Sequence, residues 1–179
     1  MSLSKRLAVG LFLAVFALPA AAGEHVYLFR TQEVSSIKAN CAPGEDIILG
    51  ALLYTPRTRA SDGLVMKDAG EPVGTAIGCG TTRSYTPFDP NAQNPFSLRL
   101  EFGGGTLTAN GTCTLTSLTF PIQGVPAPLL LAGCTLRVNP SPSLGVVNGI
   151  ATSASVFTPW PLPGFGTGSF WTVQVYTND

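Results

Sequence analysis

The chain has 179 residues, with 10 Lys+Arg and 10 Asp+Glu. Charged side chains are only 11% of it, while the hydrophobic set reaches 45%, with 20 Gly and 15 Pro. That is too apolar for a disordered tail and too sparsely charged for a helical bundle or coiled coil. Zero net charge and no basic run argue against nucleic acid as the main partner. A single histidine, His25, argues against a His-rich metal site, so no metal or other cofactor is expected.

The first segment pairs Lys5 and Arg6 with an apolar run over 7–18 and the ending Ala20-Ala21-Ala22. A short basic region, a short apolar core and small residues at the exit predict a secretory signal peptide over 1–22, cleaved after Ala22. The run is too short to span a bilayer, which needs roughly 20 apolar residues. The predicted mature chain, 23–179, is one domain, secreted or periplasmic. It carries no transmembrane span, because Gly, Pro and Thr interrupt every later apolar run.

From there the chain reads as strands between turn clusters. Eight are predicted, over 25–32, 47–55, 72–84, 96–102, 105–118, 128–138, 146–157 and 170–177. In 96–102, Phe96, Leu98, Leu100 and Phe102 share one face, and Ser97, Arg99 and Glu101 the other. Gly103-Gly104-Gly105 supplies the next turn. In 105–118, Thr106, Thr108, Asn110, Thr112 and Thr114 form a polar row opposite Leu107, Ala109, Gly111, Cys113 and Leu115. Breakers fill the connections, including Ala42-Pro43-Gly44, 56–63, 87–95, 123–128, 139–145 and 159–168. The expected fold is all-β, an eight-stranded antiparallel barrel, which removes the sheet edges.

All four cysteines follow the signal segment, and an even count in an exported chain predicts two disulfides. A hairpin turning near Gln123-Gly124 sets Cys113 opposite Cys134, within disulfide reach. That leaves Cys41 with Cys79.

The order of short motifs resembles a known group. Pro43-Gly44-Glu45-Asp46 leads to a strand ending Leu53-Tyr54. Asp68-Ala69-Gly70-Glu71-Pro72-Val73-Gly74-Thr75-Ala76-Ile77-Gly78-Cys79 follows. Next come Phe102-Gly103-Gly104-Gly105-Thr106-Leu107-Thr108-Ala109-Asn110-Gly111 and Leu144-Gly145-Val146-Val147-Asn148-Gly149-Ile150-Ala151. From about residue 25 to 177 the series is similar to the allene-oxide-cyclase-barrel-like group, which includes the plant dirigent proteins. The resemblance implies a calycin-type barrel with a lumen pocket, assembling as a homo-oligomer (dimer or trimer). It also implies binding of a small hydrophobic molecule, with a cyclase-like or dirigent-like template role in some members. Where dirigent proteins have Ala-Arg-Gly, this chain has Val147-Asn148-Gly149, so the arginine of those pockets is absent at that site. No catalytic residue carries over.

Gly74, Gly78, Gly111 and Gly149 within strands read as sites of coiling or close approach. No nucleophile motif is present, and His25 near the chain's start does not suit a Ser-His-Asp triad. Asp46 reads as a cap on the Pro-Gly turn. Arg99 and Glu101 lie outside the barrel if the apolar face lines it, and line the lumen if it does not. With Tyr54 and the loop aromatics Trp160 and Phe165, they are the candidate ligand-contacting residues.

Two readings of function follow. The first is an exported, disulfide-stapled barrel holding a small hydrophobic ligand. Its rival is a non-enzymatic structural or interaction protein of the envelope or surface. A cavity larger than about 300 Å³ favours the first and a filled lumen the second. A third, a strand-exchanging sandwich subunit, should lack one strand.

Overall fold

Residues 22–55, 57–58, 65–66, 71–85, 93–118, 129–157 and 168–178 are described by the computed structural model. The alternating rows fold as expected for half-buried strands. These are β1 (Ala22–Glu33), β2 (Ile47–Tyr54), β3 (Arg57–Thr58), β4 (Val65–Met66), β5 (Gly74–Gly80), β6 (Asn94–Phe102), β7 (Gly105–Leu118), β8 (Leu129–Val138), β9 (Val146–Phe157) and β10 (Gly168–Asn178). Eight of them close into an antiparallel barrel in the order β1-β10-β9-β8-β7-β6-β5-β2. Each barrel strand pairs with the next barrel strand in the chain, and β10 returns to β1 to complete the ring. The third reading, a sheet lacking a strand, does not describe this closed ring.

Two differences from the sequence reading stand out. The region read as the 56–63 connection begins a small ladder, Arg57–Thr58 with Val65–Met66, separate from the barrel. The strand expected over 72–84 is only Gly74–Gly80. Its continuation is drawn off by a side chain: the Arg83 and Ser84 N–H groups both donate to Asn94 Oδ1, at 2.6 and 3.0 Å. The segment 1–21, most of the expected signal peptide, lies outside the described residues. Ala22 opens β1, opposite Asn178.

Register decides which side chains fill the lumen. Along β6 and β7, Leu98, Leu100, Leu107 and Ala109 are buried while Arg99, Glu101 and Thr108 are exposed, so the apolar rows point inward. The Gly103-Gly104 pair, both at positive φ (58° and 80°), makes the tight turn between these strands. Gly111 faces inward where β8 coils close. A Cβ there would lie 2.3 Å from the Thr135 carbonyl oxygen.

One end of the barrel is packed shut. Leu53, Leu100, Leu107, Leu136, Val138, Val173 and Val175 are fully buried there. Each contributes about 2 kcal/mol of burial. Phe102 packs between Tyr27 and Phe29, with centroids at 5.1 and 4.9 Å, and plugs that end. Leu144, from a 3-10 turn over Pro142–Leu144, lies beside Gly105 across the rim.

Two disulfides staple the barrel. Cys113 and Cys134 are register partners on β7 and β8, and their bond lies on the inner wall. Cys41 of the β1–β2 connection bonds Cys79 on the outer side of β5, tying that connection to the wall. Replacing Cys113 and Cys134 together by Ser should lower unfolding free energy by about 3 kcal/mol in a denaturant titration, the loop-closure value for a span of this length. An unchanged midpoint would show that the strand ladder alone holds β7 to β8.

Candidate functional site

The packing of the lumen is one-sided. At the end where β1, β5, β7 and β9 finish, the inward positions carry smaller side chains: Thr31, Gly78, Ala132, Ser155 and Ser169. They leave a cavity of about 380 Å³ that opens at this end. Phe96 and Trp171 form its base, their rings stacked with centroids 6.4 Å apart. Phe96 lies flat on β5 because Gly78 has no side chain; a Cβ there would be 2.5 Å from its ring. Leu115, Leu130, Ala132 and the Cys113–Cys134 disulfide make the apolar wall. A narrow extension of about 20 Å³ reaches toward Ala51, Ala76 and Leu98.

The opposite wall is polar. The Ser155 hydroxyl donates to Ser169 Oγ at 2.7 Å. The Ser169 N–H donates to Thr31 Oγ1, whose own hydrogen returns to the Ser169 carbonyl. Ser153 Oγ, in register with Cys134 and Trp171, is buried without a partner among the described residues. Glu33 continues the inward row of Tyr27, Phe29 and Thr31 and stands at the rim. Burial pushes its carboxyl above the ordinary value.

The mouth is fixed by polar contacts between connections. Asn94 is fully buried and uses its whole amide. Its oxygen accepts the two N–H groups of Arg83 and Ser84, and its nitrogen donates to the Ser84 and Cys113 carbonyls, both at 3.0 Å. Asp46 Oδ1 accepts the Thr82 N–H at 2.7 Å, and this bond holds its carboxyl below the usual range. Asp46 therefore joins two connections, and the cap of the Pro-Gly turn is Glu45, which accepts the Ala42 N–H at 2.6 Å. A second concavity of about 420 Å³ lies between the segment 33–39 and β2, a surface groove with no aromatic side chain.

The sequence-derived candidates fall elsewhere. Arg99 and Glu101 form an ion pair at 2.6 Å on the outer face, each about half exposed, with Glu101 also accepting from Thr75. Such a pair contributes little to stability. Tyr54 is buried, but on the outer side of β2, in register with Arg30. The Arg30 guanidinium lies over the Phe170 ring at 5.1 Å. Arg99, Glu101 and Tyr54 do not line the cavity, because each alternates with an inward neighbour: Leu98 and Leu100 for the pair, Leu53 for Tyr54. Trp160 and Phe165 lie outside the described residues, in the connection between β9 and β10. Asn148 is exposed on the outer face.

The cavity residues that the sequence reading did not single out are Glu33, Phe96, Trp171, Ser155 and Ser169. Extending each alternating row to its end would have found them. The row from Tyr27 reaches Glu33 one residue past the expected limit of that strand. Cys41, Glu45 and Cys79 cluster closely, but both thiols are committed to the disulfide. No helix among the described residues is long and apolar enough to cross a membrane. No family model, no curated protein and no solved structure matches the chain.

A raised carboxyl makes stability depend on pH with a defined sign. Below the ordinary value of 4.5, Glu33 is neutral folded or unfolded and costs nothing. As pH rises through the raised folded value, the partly enclosed carboxylate must charge and stability is lost. Solvent contact at the rim limits the size of the effect. Thermal melts should show Glu33→Gln matching the native chain near pH 4 and exceeding it by pH 7. The opposite trend would mean that Glu33 gains a stabilising partner when ionised.

Proposed function

We propose that this barrel is an exported binding protein that holds a small, largely apolar molecule in its lumen. The observation that carries the reading is the cavity of about 380 Å³, open at one end and closed behind Phe96 and Trp171. It exceeds the roughly 300 Å³ at which ligand pockets begin, and it combines apolar walls with a few converging polar groups. Two disulfides suit an oxidising compartment, and the signal-like segment over 1–22 suits export. The motif order shared with the allene-oxide-cyclase-barrel-like group supports the same reading.

Any chemistry would come from holding a reactive molecule in one conformation, a cyclase-like or dirigent-like template role. The described residues suit that better than Ser-His-Asp-type nucleophilic catalysis. His25 is exposed near the closed end, and no histidine or lysine reaches the cavity among them.

A second reading, a structural or interaction protein, draws on the outer surface. Val26 and Ile150 flank Gln174 on neighbouring strands, and Leu28 and Phe170 lie on the same outer side. All four apolar side chains are exposed. A homo-oligomer would cover such a face.

The two readings separate in a binding experiment. The neutral probe 2-naphthalenemethanol should bind once per chain by calorimetry, and Ala132→Phe, which fills the cavity from β8, should weaken it at least about tenfold. Equal binding by the filled variant would place the probe on the surface and favour the second reading.

A further inference from the structure

The charge of the cavity is uniform in sign. Its lining carries two carboxylic acids, Glu33 and Asp46, and among the described residues no Lys, Arg or His. Within the cavity, Glu33 shares the lining with Asp46 and Tyr85. Lys38 does not line the cavity, but it shares the outer groove with Glu33, which borders both. Arg83, the other base on a described connection at this end, is exposed and does not line the cavity.

Aromatic rings add to this asymmetry. Phe96 and Trp171 at the base and Tyr85 at the mouth bring three ring quadrupoles to one cavity. A ring face turned to the lumen attracts a cation and repels an anion. The nine-tenths buried hydroxyls of Ser155 and Ser169 supply oxygen acceptors on the polar wall. A ligand carboxylate entering here would lose water and meet carboxylates, with no cation among the described lining residues to offset the loss. An ammonium group at the mouth would meet the carboxylates and Tyr85.

Resting on the lumen-binding reading above, we propose that the cavity selects a small amphiphilic cation, an amine or quaternary ammonium on an apolar body, over a carboxylate or alcohol of the same shape. The apolar body lies against Leu115, Leu130, Ala132 and the Cys113–Cys134 disulfide, and the ammonium sits toward Glu33 and Asp46 at the mouth. The selectivity depends on ionised acid. Protonating Glu33 at low pH removes one of the two charges, while Asp46, held by the Thr82 N–H, stays ionised to lower pH.

Three naphthyl probes of similar size test this by calorimetry on the folded chain: 2-naphthylmethylamine, 2-naphthalenemethanol and 2-naphthoate. At neutral pH and low salt the amine should bind about tenfold or more tighter than the alcohol, and the naphthoate weakest. The amine's advantage should shrink as pH falls toward 4. It should also shrink in Glu33→Gln, and further in Glu33→Gln with Asp46→Asn. Both substitutions keep side-chain shape, and Asp46→Asn leaves an amide oxygen to accept the Thr82 N–H. The alcohol's affinity should change far less than the amine's in either variant, which distinguishes a lost charge preference from a collapsed cavity. Alcohol binding with no amine preference, or a naphthoate that binds tightest, overturns the cation assignment and leaves the lumen reading intact. Failure of all three probes to bind overturns both.

Discussion

The inner face of an eight-stranded barrel encloses a fixed and small volume, and the way this chain fills it determines everything else. Leucine, valine and aromatic side chains occupy one end completely. Toward the other, the same inward rows continue as Thr31, Gly78, Ala132, Ser155 and Ser169, which are too small to meet across the lumen. The cavity is the difference between those two halves. It follows from residue size at alternate positions, without any departure from regular strand geometry.

An unfilled apolar space invites collapse, because its lining loses contacts on one side. Here the surrounding wall is held by connections that do not depend on the filling. The Cys113–Cys134 bond fixes β7 to β8 at the level of the cavity, and Cys41–Cys79 ties the β1–β2 connection to β5. Asn94 satisfies four backbone groups from a fully buried position, and Asp46 bridges to Thr82. These contacts cluster at the open end. The closed end, by contrast, is held by apolar packing around Phe102.

Much of this architecture is legible in the alternation of residues. The rows in 96–102 and 105–118 define both strands and, through the symmetry about Gln123-Gly124, the meeting of Cys113 with Cys134. Seven of the eight expected strands correspond closely to barrel strands. The eighth, Gly74–Gly80, is shorter than its alternation suggests because Asn94 acts on Arg83 and Ser84 from another strand, a tertiary contact with no local signal. The site is far less legible. Polar and aromatic residue types draw attention to Arg99, Glu101 and Tyr54, yet a barrel with an apolar interior turns polar rows outward. Trp171 and Phe96 look like ordinary core in the sequence. Their role at the base of a cavity comes from the small residues on facing strands, and this requires the closed ring to be known.

The central claim, that the lumen is a ligand site, meets its most direct test in native mass spectrometry of the protein taken from the cells that make it and from their medium. The account predicts a chain carrying two disulfides and one small molecule per barrel, released when the cavity is filled by Ala132→Phe. A fully occupied preparation that loses nothing in that variant, or one that is ligand-free in every state, would contradict it.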